Sequence, residues 1–447
     1  MKKLAFALII CFCSSLFVFN SCRKKEDDHV LKLNTSIDNP KSWYLAGTPL
    51  SFQESNCTDL SYGYNRAKLT WYKIDPIFQL PNPLLPPNLS LEEISDNYVR
   101  RIIETEIRPN KNIPSGPPDE VHTFDLTYYP TKPGPYNFDV VPTNHSSGLS
   151  VNGELNAPES RWGGIMRKTP QLSHKANYVN FWLMDPFDKS DSVSGKLFIN
   201  LGVFCEDILR DENHQNEASI SSEVYENDTS LWGIYGKFNV WDINFTSELY
   251  QDIGLDGLDN ENEVNFYDDY LTQVQEACSQ DAYENIKADP AKDDYQYFRG
   301  SEHDNNDVGV IERYYDYNSF EGNSLPDEYS TENYPTSSSI YPDREDIDYN
   351  GTLNCNETYL EYEINVERNN FVEGVNCLDS VHHLYVPTVC HEYIYVTWYH
   401  FKIPVSDFSA NYGNQLLNDN FEMIRIYLTG FEQAVTFRFA FFCLSEN

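Results

Sequence analysis

The chain has 447 residues, with 69 Asp and Glu against 32 Lys and Arg, a formal net charge of −37 and 15% aromatic residues. Such a charge repels nucleic acid and anionic lipid headgroups, and no basic stripe compensates, so no nucleic acid partner is expected. With 40% hydrophobic residues there is ample surface to bury, which excludes a disordered chain, and a mean hydropathy of −0.55 excludes a polytopic helical membrane protein.

Lys2 and Lys3 precede an apolar run from Leu4 to Phe19, which ends in Asn20-Ser21-Cys22. The run is too short to span a bilayer, and the small residue before a cysteine resembles a bacterial lipoprotein signal over residues 1–22, with Cys22 as the acylated residue. Arg23-Lys24-Lys25-Glu26-Asp27-Asp28 follows, similar to the export tag that sends Bacteroidota lipoproteins to the cell surface. A solvated charged linker is the alternative. The expectation is an outer membrane lipoprotein at the cell surface, with residues 23–40 as a charged tether and 41–447 as the folded module.

Cys11 and Cys13 fall inside the signal, and an odd number of cysteines lies beyond Cys22, so they cannot all pair within one chain. Cys377 and Cys390, on either side of a turn near Pro387, are the expected disulfide.

From Trp43 onward, short aromatic and β-branched runs alternate with turn residues. Proline-rich stretches at 80–88 and 108–119 read as irregular connectors. Leu91 to Arg101 and Tyr270 to Ile286 have the best helical period. Residues 179–184 and 195–202 read as adjacent buried strands joined by a turn-rich loop. A long acidic insertion is expected at about 206–390. Ile394 to Val405 and Ile424 to Leu428 are strand-like, and Val435 to Phe441 alternates with period two, as a strand with one face in a core must. The fold class is mainly β: a jelly-roll-like β-sandwich with long acidic, loop-rich insertions and a few short helices.

Inside the insertion, Asp252 to Glu263 can be set against a twelve-residue calcium loop, with Asp252 at position 1, Asp256 at 5, Gly257 at 6 and Glu263 at 12. Asp259 offers a further oxygen. Gly254 occupies position 3, where such loops carry Asp or Asn. A glycine turn whose acids face solvent is the commoner outcome of so loose a match. Ca²⁺ on Asp252, Asp256, Asp259 and Glu263 is the one cofactor the residues suggest.

No catalytic residue stands out. The chain lacks a Gly-x-Ser-x-Gly elbow, a His-Glu-x-x-His pair and a phosphate-cradling glycine loop. Glu357, Glu361 and Glu363 come nearest to a glycosidase carboxylate pair, a cluster that chance supplies readily in so acidic a chain. His382, His383, Cys390 and His391 have the ligand types for zinc, but read better as a hairpin with surface histidines. Trp162, Trp182, Trp232 and Trp398 are candidates by type for stacking on a glycan, although Trp182 and Trp398 sit in core-like runs. The chain is not expected to be an enzyme.

Several blocks carry a family resemblance. Tyr62-Gly63-Tyr64-Asn65-Arg66-Ala67-Lys68-Leu69-Thr70-Trp71-Tyr72, Arg161-Trp162-Gly163-Gly164-Ile165-Met166-Arg167 and Phe181-Trp182-Leu183-Met184-Asp185-Pro186-Phe187 are three of them. Tyr250 to Leu258, Phe298-Arg299-Gly300-Ser301, Phe401-Lys402-Ile403-Pro404 and Ile424-Arg425-Ile426-Tyr427-Leu428-Thr429-Gly430-Phe431 continue the series in order. Together they resemble a soluble module of the gliding-motility SprA family, which includes Sov and forms the outer-membrane translocon of type IX secretion. The family's large barrel needs many alternating strands that these blocks do not supply, so the chain is not expected to be the conduit. The resemblance implies a non-catalytic role through protein contact with secretion or gliding machinery; a glycan-binding surface lipoprotein of a polysaccharide-uptake system is the alternative.

Overall fold

Why two sheets form is legible in single strands. Along Ser194–Val203, Leu197, Ile199 and Leu201 are fully buried on one face, while Phe198 and Asn200 face the other way. A strand that is apolar on one side needs a partner layer. The computed structural model describes residues 34–109, 119–169, 175–187, 189–190, 192–215, 227–236, 254–317, 332, 334, 336, 344–417 and 421–446.

In chain order the strands of the sandwich are β1 (Asn34–Ser36), β2 (Tyr44–Leu45), β3 (Ala67–Tyr72), β6 (Phe124–Pro133), β7 (Trp162–Lys168), β8 (Tyr178–Met184) and β9 (Ser194–Val203). After the insertion come β12 (Thr358–Glu367), β13 (Leu378–Pro387), β14 (Tyr393–Pro404), β15 (Ala410–Tyr412), β16 (Met423–Thr429) and β17 (Val435–Ser445). Two small hairpins lie outside the sheets: β4 (Ile102–Ile103) with β5 (Glu120–Val121), and β10 (Asn227–Thr229) with β11 (Ile234–Gly236). One sheet runs β13-β14-β8-β17-β6-β3, with β1 on β17; the other runs β15-β12-β9-β16-β7-β2. All the strand pairs in both sheets are antiparallel.

The central strands are β6-β17-β8-β14 in one sheet and β7-β16-β9-β12 in the other, and the chain crosses between the sheets at β6–β7, β7–β8, β8–β9, β12–β13, β14–β15 and β16–β17. This is the jelly-roll connectivity, as expected. One expectation fails: residues 179–184 and 195–202 are both strands, yet β8 and β9 lie in different sheets, because the loop between them crosses the sandwich instead of turning back as a hairpin. The core between the sheets is aromatic. Phe181 stacks on Phe401 at 4.9 Å, Phe437 on Phe439 at 6.1 Å, and Tyr128 meets Phe431 edge-on at 6.0 Å.

The period-two pattern of β17 holds through Phe439 and then shifts. A bulge between Ala440 and Cys443, with Phe441 at φ +53°, turns Phe442 and Leu444 into the core in place of Phe441. On the outer side of this sheet, Trp182 and Trp398 are covered by Tyr98, Ile102 and Ile107, the last from helix α1 (Glu104–Ile107). Trp398 Nε1 donates to Glu106 Oε1 at 2.8 Å. Leu91 to Arg101 is not the expected helix; it forms only a short 3₁₀ turn at Glu93–Ser95 within an irregular cover.

The insertion leaves after β9 and returns at β12, so it ends near residue 357, not 390, because β12 and β13 belong to the sheets. It carries four of the five α-helices among the described residues: α2 (Asn260–Phe266), α3 (Asp268–Ala277), α4 (Gln280–Ala288) and α5 (Ser301–Asn305). The helical period at 270–286 resolves into α3 and α4. Ser279 breaks the run by capping α4, its Oγ accepting from Ala282 N at 3.3 Å.

Candidate functional site

The insertion buries carboxylates. Asp256, at 0% exposure, Glu263, at 1%, and Asp293, at 4%, bring oxygens within 4.8 Å of one another. Asp289 and Asp294 extend the group through Asp293. Local turns set this geometry. Gly254 and Gly257 take φ of +60° and +70°, and a Cβ on Gly254 would lie 1.9 Å from Asp293 Oδ2, so only glycine fits there. Asp256 Oδ1 accepts from Leu258 N at 2.9 Å, and Glu263 Oε2 accepts from Ala291 N at 2.9 Å.

Burial pushes the Asp256, Glu263 and Asp293 carboxyls well above the ordinary carboxylate range, and repulsion among the neighbouring acids adds to the rise. Three such groups need protons or a cation to neutralise them. Tyr267 shows the consequence. Its hydroxyl lies beside both the Trp232 carbonyl and Asp256 Oδ2, the latter at 2.9 Å, and has one proton to give. A proton on Asp256, donated to the Tyr267 oxygen, satisfies both contacts.

Of the four expected calcium ligands, the fold brings together Asp256 and Glu263. Asp259 is exposed and does not join them: it caps α2, Oδ1 accepting from Asn262 N at 2.9 Å. Asp252 lies outside the described residues, as does Cys22. Asp289, Asp293 and Asp294 carry no ligand spacing of their own in the sequence, although they form an acidic run right after a helical stretch.

The expected disulfide is not formed. Cys377 and Cys390 sit at opposite ends of β13, a ten-residue strand of roughly 30 Å, far beyond disulfide reach. Cys377 Sγ donates to Asp407 Oδ2 at 3.4 Å and Cys390 Sγ accepts from Ser95 Oγ at 3.4 Å. The thiols that hydrogen-bond each other are those of Cys205 and Cys355.

The zinc-type residues are also kept apart. His382 Nδ1 contacts Ile107 O at 3.0 Å on one face of β13, and His383 Nδ1 contacts Thr397 Oγ1 at 3.1 Å on the other. The glutamates on and before β12 are engaged separately. Glu357 takes Arg425 at 3.3 Å, Glu361 accepts from Tyr427 OH at 2.8 Å and Asn200 Nδ2 at 3.1 Å, and Glu363 takes Lys196 at 2.8 Å.

All four tryptophan candidates are buried, Trp182 at 8% exposure and the others at 1% or less. The exposed aromatic surface lies instead on the β13–β14 hairpin at one edge of its sheet. Tyr385, Tyr393 and Tyr395 are 68%, 70% and 49% exposed, with the Tyr385 and Tyr395 rings 5.3 Å apart. Cross-strand pairing of Tyr385 with Tyr395 puts both on one face, while Val386 and Val396 take the other. Among the described residues, no helix is long and apolar enough to cross a membrane.

No curated protein matches the chain. Residues 269–447, from α3 through the last strand, match the SprA_N family, described as a motility related/secretion protein. The match covers about two fifths of the chain, and over those residues the chain is similar to a SprA-type N-terminal module.

Proposed function

We propose that the chain is a non-catalytic lipoprotein, anchored in the outer membrane through Cys22 and displayed at the cell surface, that acts by protein–protein contact in type IX secretion or gliding motility. The observation that carries the reading is the match of residues 269–447 to a motility- and secretion-related family. The tyrosine face of the β13–β14 hairpin, inside the matched region, is the contact surface in this reading, since exposed paired tyrosines give large contact area at low entropic cost. Glu357, Glu361 and Glu363 each hold a structural partner, which supports a non-catalytic role.

A glycan-binding role is the second reading. The same three rings favour it, because exposed tyrosines also stack on sugar faces. Affinity capture of the tagged full chain from cells, beside binding to immobilised polysaccharides, separates the two. Recovery of secretion or motility components without polysaccharide binding is the expected result. Specific polysaccharide binding with none of those components would overturn the first reading.

A further inference from the structure

The insertion ends in the segment Asp346-Ile347-Asp348-Tyr349-Asn350-Gly351-Thr352-Leu353-Asn354-Cys355-Asn356-Glu357. Acids at positions 1 and 3, asparagine at 5, glycine at 6, an apolar residue at 8 and glutamate at 12 form the full residue pattern of a twelve-residue calcium loop. Two donors of such a loop, the position-5 amide of Asn350 and the position-7 carbonyl of Thr352, are neutral or main-chain oxygens, so the pattern is more than a cluster of acids. Folded, Gly351 has φ of +80°, the conformation the sharp turn at position 6 demands.

A carboxylate from a different element converges on the same point. Glu206, just after β9, brings its oxygens within 4.8 Å of those of Asp346 and Asp348. Its backbone N donates to Asn354 O at 2.8 Å, which fixes it beside the loop. Glu357, at position 12, turns away instead. It directly precedes β12 and accepts from Arg425 and from Cys205 N at 3.3 Å, so the closing carboxylate has to come from elsewhere.

We propose that Asp346, Asp348, Asn350 and Glu206, with the Thr352 carbonyl, bind Ca²⁺ and tie the end of the insertion to the end of β9. The donor set selects calcium over magnesium, because it mixes carboxylate, amide and main-chain oxygens on a turn with no preset octahedron. Lys168 Nζ stands 3.6 Å from Asp348 Oδ2, but its side chain is 56% exposed and can swing aside. The site shares no residue with the Asp256 cluster.

Calorimetric titration of the EDTA-stripped full chain with CaCl₂ tests this. The expected result is saturable binding with Kd between ~10⁻⁵ and ~10⁻³ M. Asp348→Asn is expected to weaken it by roughly tenfold or more, with the melting temperature in EDTA held at the wild-type value. Asp293→Asn, in the other cluster, is expected to leave this binding intact. If Asp348→Asn does not fold, Asn350→Ala supplies the same readout. No calcium binding by the wild type, or binding lost in Asp293→Asn and kept in Asp348→Asn, would overturn the proposal.

Discussion

Arg161 is fully buried and donates from all three guanidinium nitrogens. Nε reaches Asn156 O at 2.9 Å, Nη2 reaches Gly148 O at 3.0 Å, and Nη1 reaches Tyr64 O at 2.8 Å and Asp139 Oδ2 at 3.0 Å. It knots together loops from three parts of the chain. Next to it, Gly163 and Gly164 leave no room for side chains: a Cβ on Gly164 would lie 2.8 Å from Tyr427 Cβ, and one on Gly163 3.0 Å from Leu69 Cβ. Gly195 lies under the Phe431 ring in the same way, at 2.5 Å. Most of the blocks that carry the family resemblance are therefore nodes of the fold, and they argue for architecture more strongly than for any site. Arg161→Met should cost about 3–5 kcal/mol, because it strands a buried carboxylate and several carbonyls; denaturant melts that match wild type would contradict the network.

The Asp256 cluster makes a pH prediction at the same scale. Burial raises these carboxyls in the folded chain, so folding binds protons that the unfolded chain has released. Their stabilising protonation is fully present below the unfolded carboxylate range, near pH 4, and is lost as pH rises through the raised folded values. In EDTA, stability should therefore fall from pH 5 to pH 8, by up to ~1.4 kcal/mol per pH unit for each carboxyl that stays protonated. Asp256→Asn should flatten that slope in thermal melts, and calcium should flatten it in the wild type if it replaces the protons. A wild-type slope that Asp256→Asn leaves unchanged would mean these acids are not the titrating groups.

At the level of elements, period and partner are separate questions. The residues of β8, β9, β14, β16 and the first half of β17 show their strand character directly, since side-chain alternation is a local property. Which sheet each strand joins is not local, so β8 and β9 looked like neighbours although a crossover separates them. The helix expected at Leu91 to Arg101 fails because Tyr98 and Val99 are buried in two different apolar clusters while Leu91 stays exposed, which no continuous helical face requires. In the candidate site, Asp256 and Glu263 were legible from spacing, whereas Asp293 reaches them only because α2, α3 and α4 fold the chain back. Cysteine pairing is non-local too. Glu206 N donates to Asn354 O at 2.8 Å, which places Cys205 beside Cys355 at the two ends of the insertion. Refolding in a glutathione redox couple should give a Cys205–Cys355 peptide in non-reducing mass spectrometry. In the chain-entropy model, closing so long a loop is worth about 5 kcal/mol. A Cys377–Cys390 peptide in its place would contradict the placement of β13.

For the molecule as a whole, the proposed anchor and the proposed contact surface are far apart in the sequence, so they can be tested separately. Cys22→Ala should move the protein out of the membrane fraction, because acyl chains contribute ~0.8 kcal/mol per buried methylene and no helix among the described residues offers a span. A variant that stays membrane-bound after a carbonate wash would remove the lipoprotein reading and leave the contact reading untouched. The proposed contact with secretion or motility machinery is tested by affinity capture with the hairpin altered. Wild-type chain crosslinked in cells should recover components of the secretion or motility machinery, and Tyr385→Ser/Tyr395→Ser, with an unchanged melting temperature, should lose them. Recovery of the same components by the wild type and the double variant alike would contradict contact through this face; recovery of none by either would contradict the proposed function.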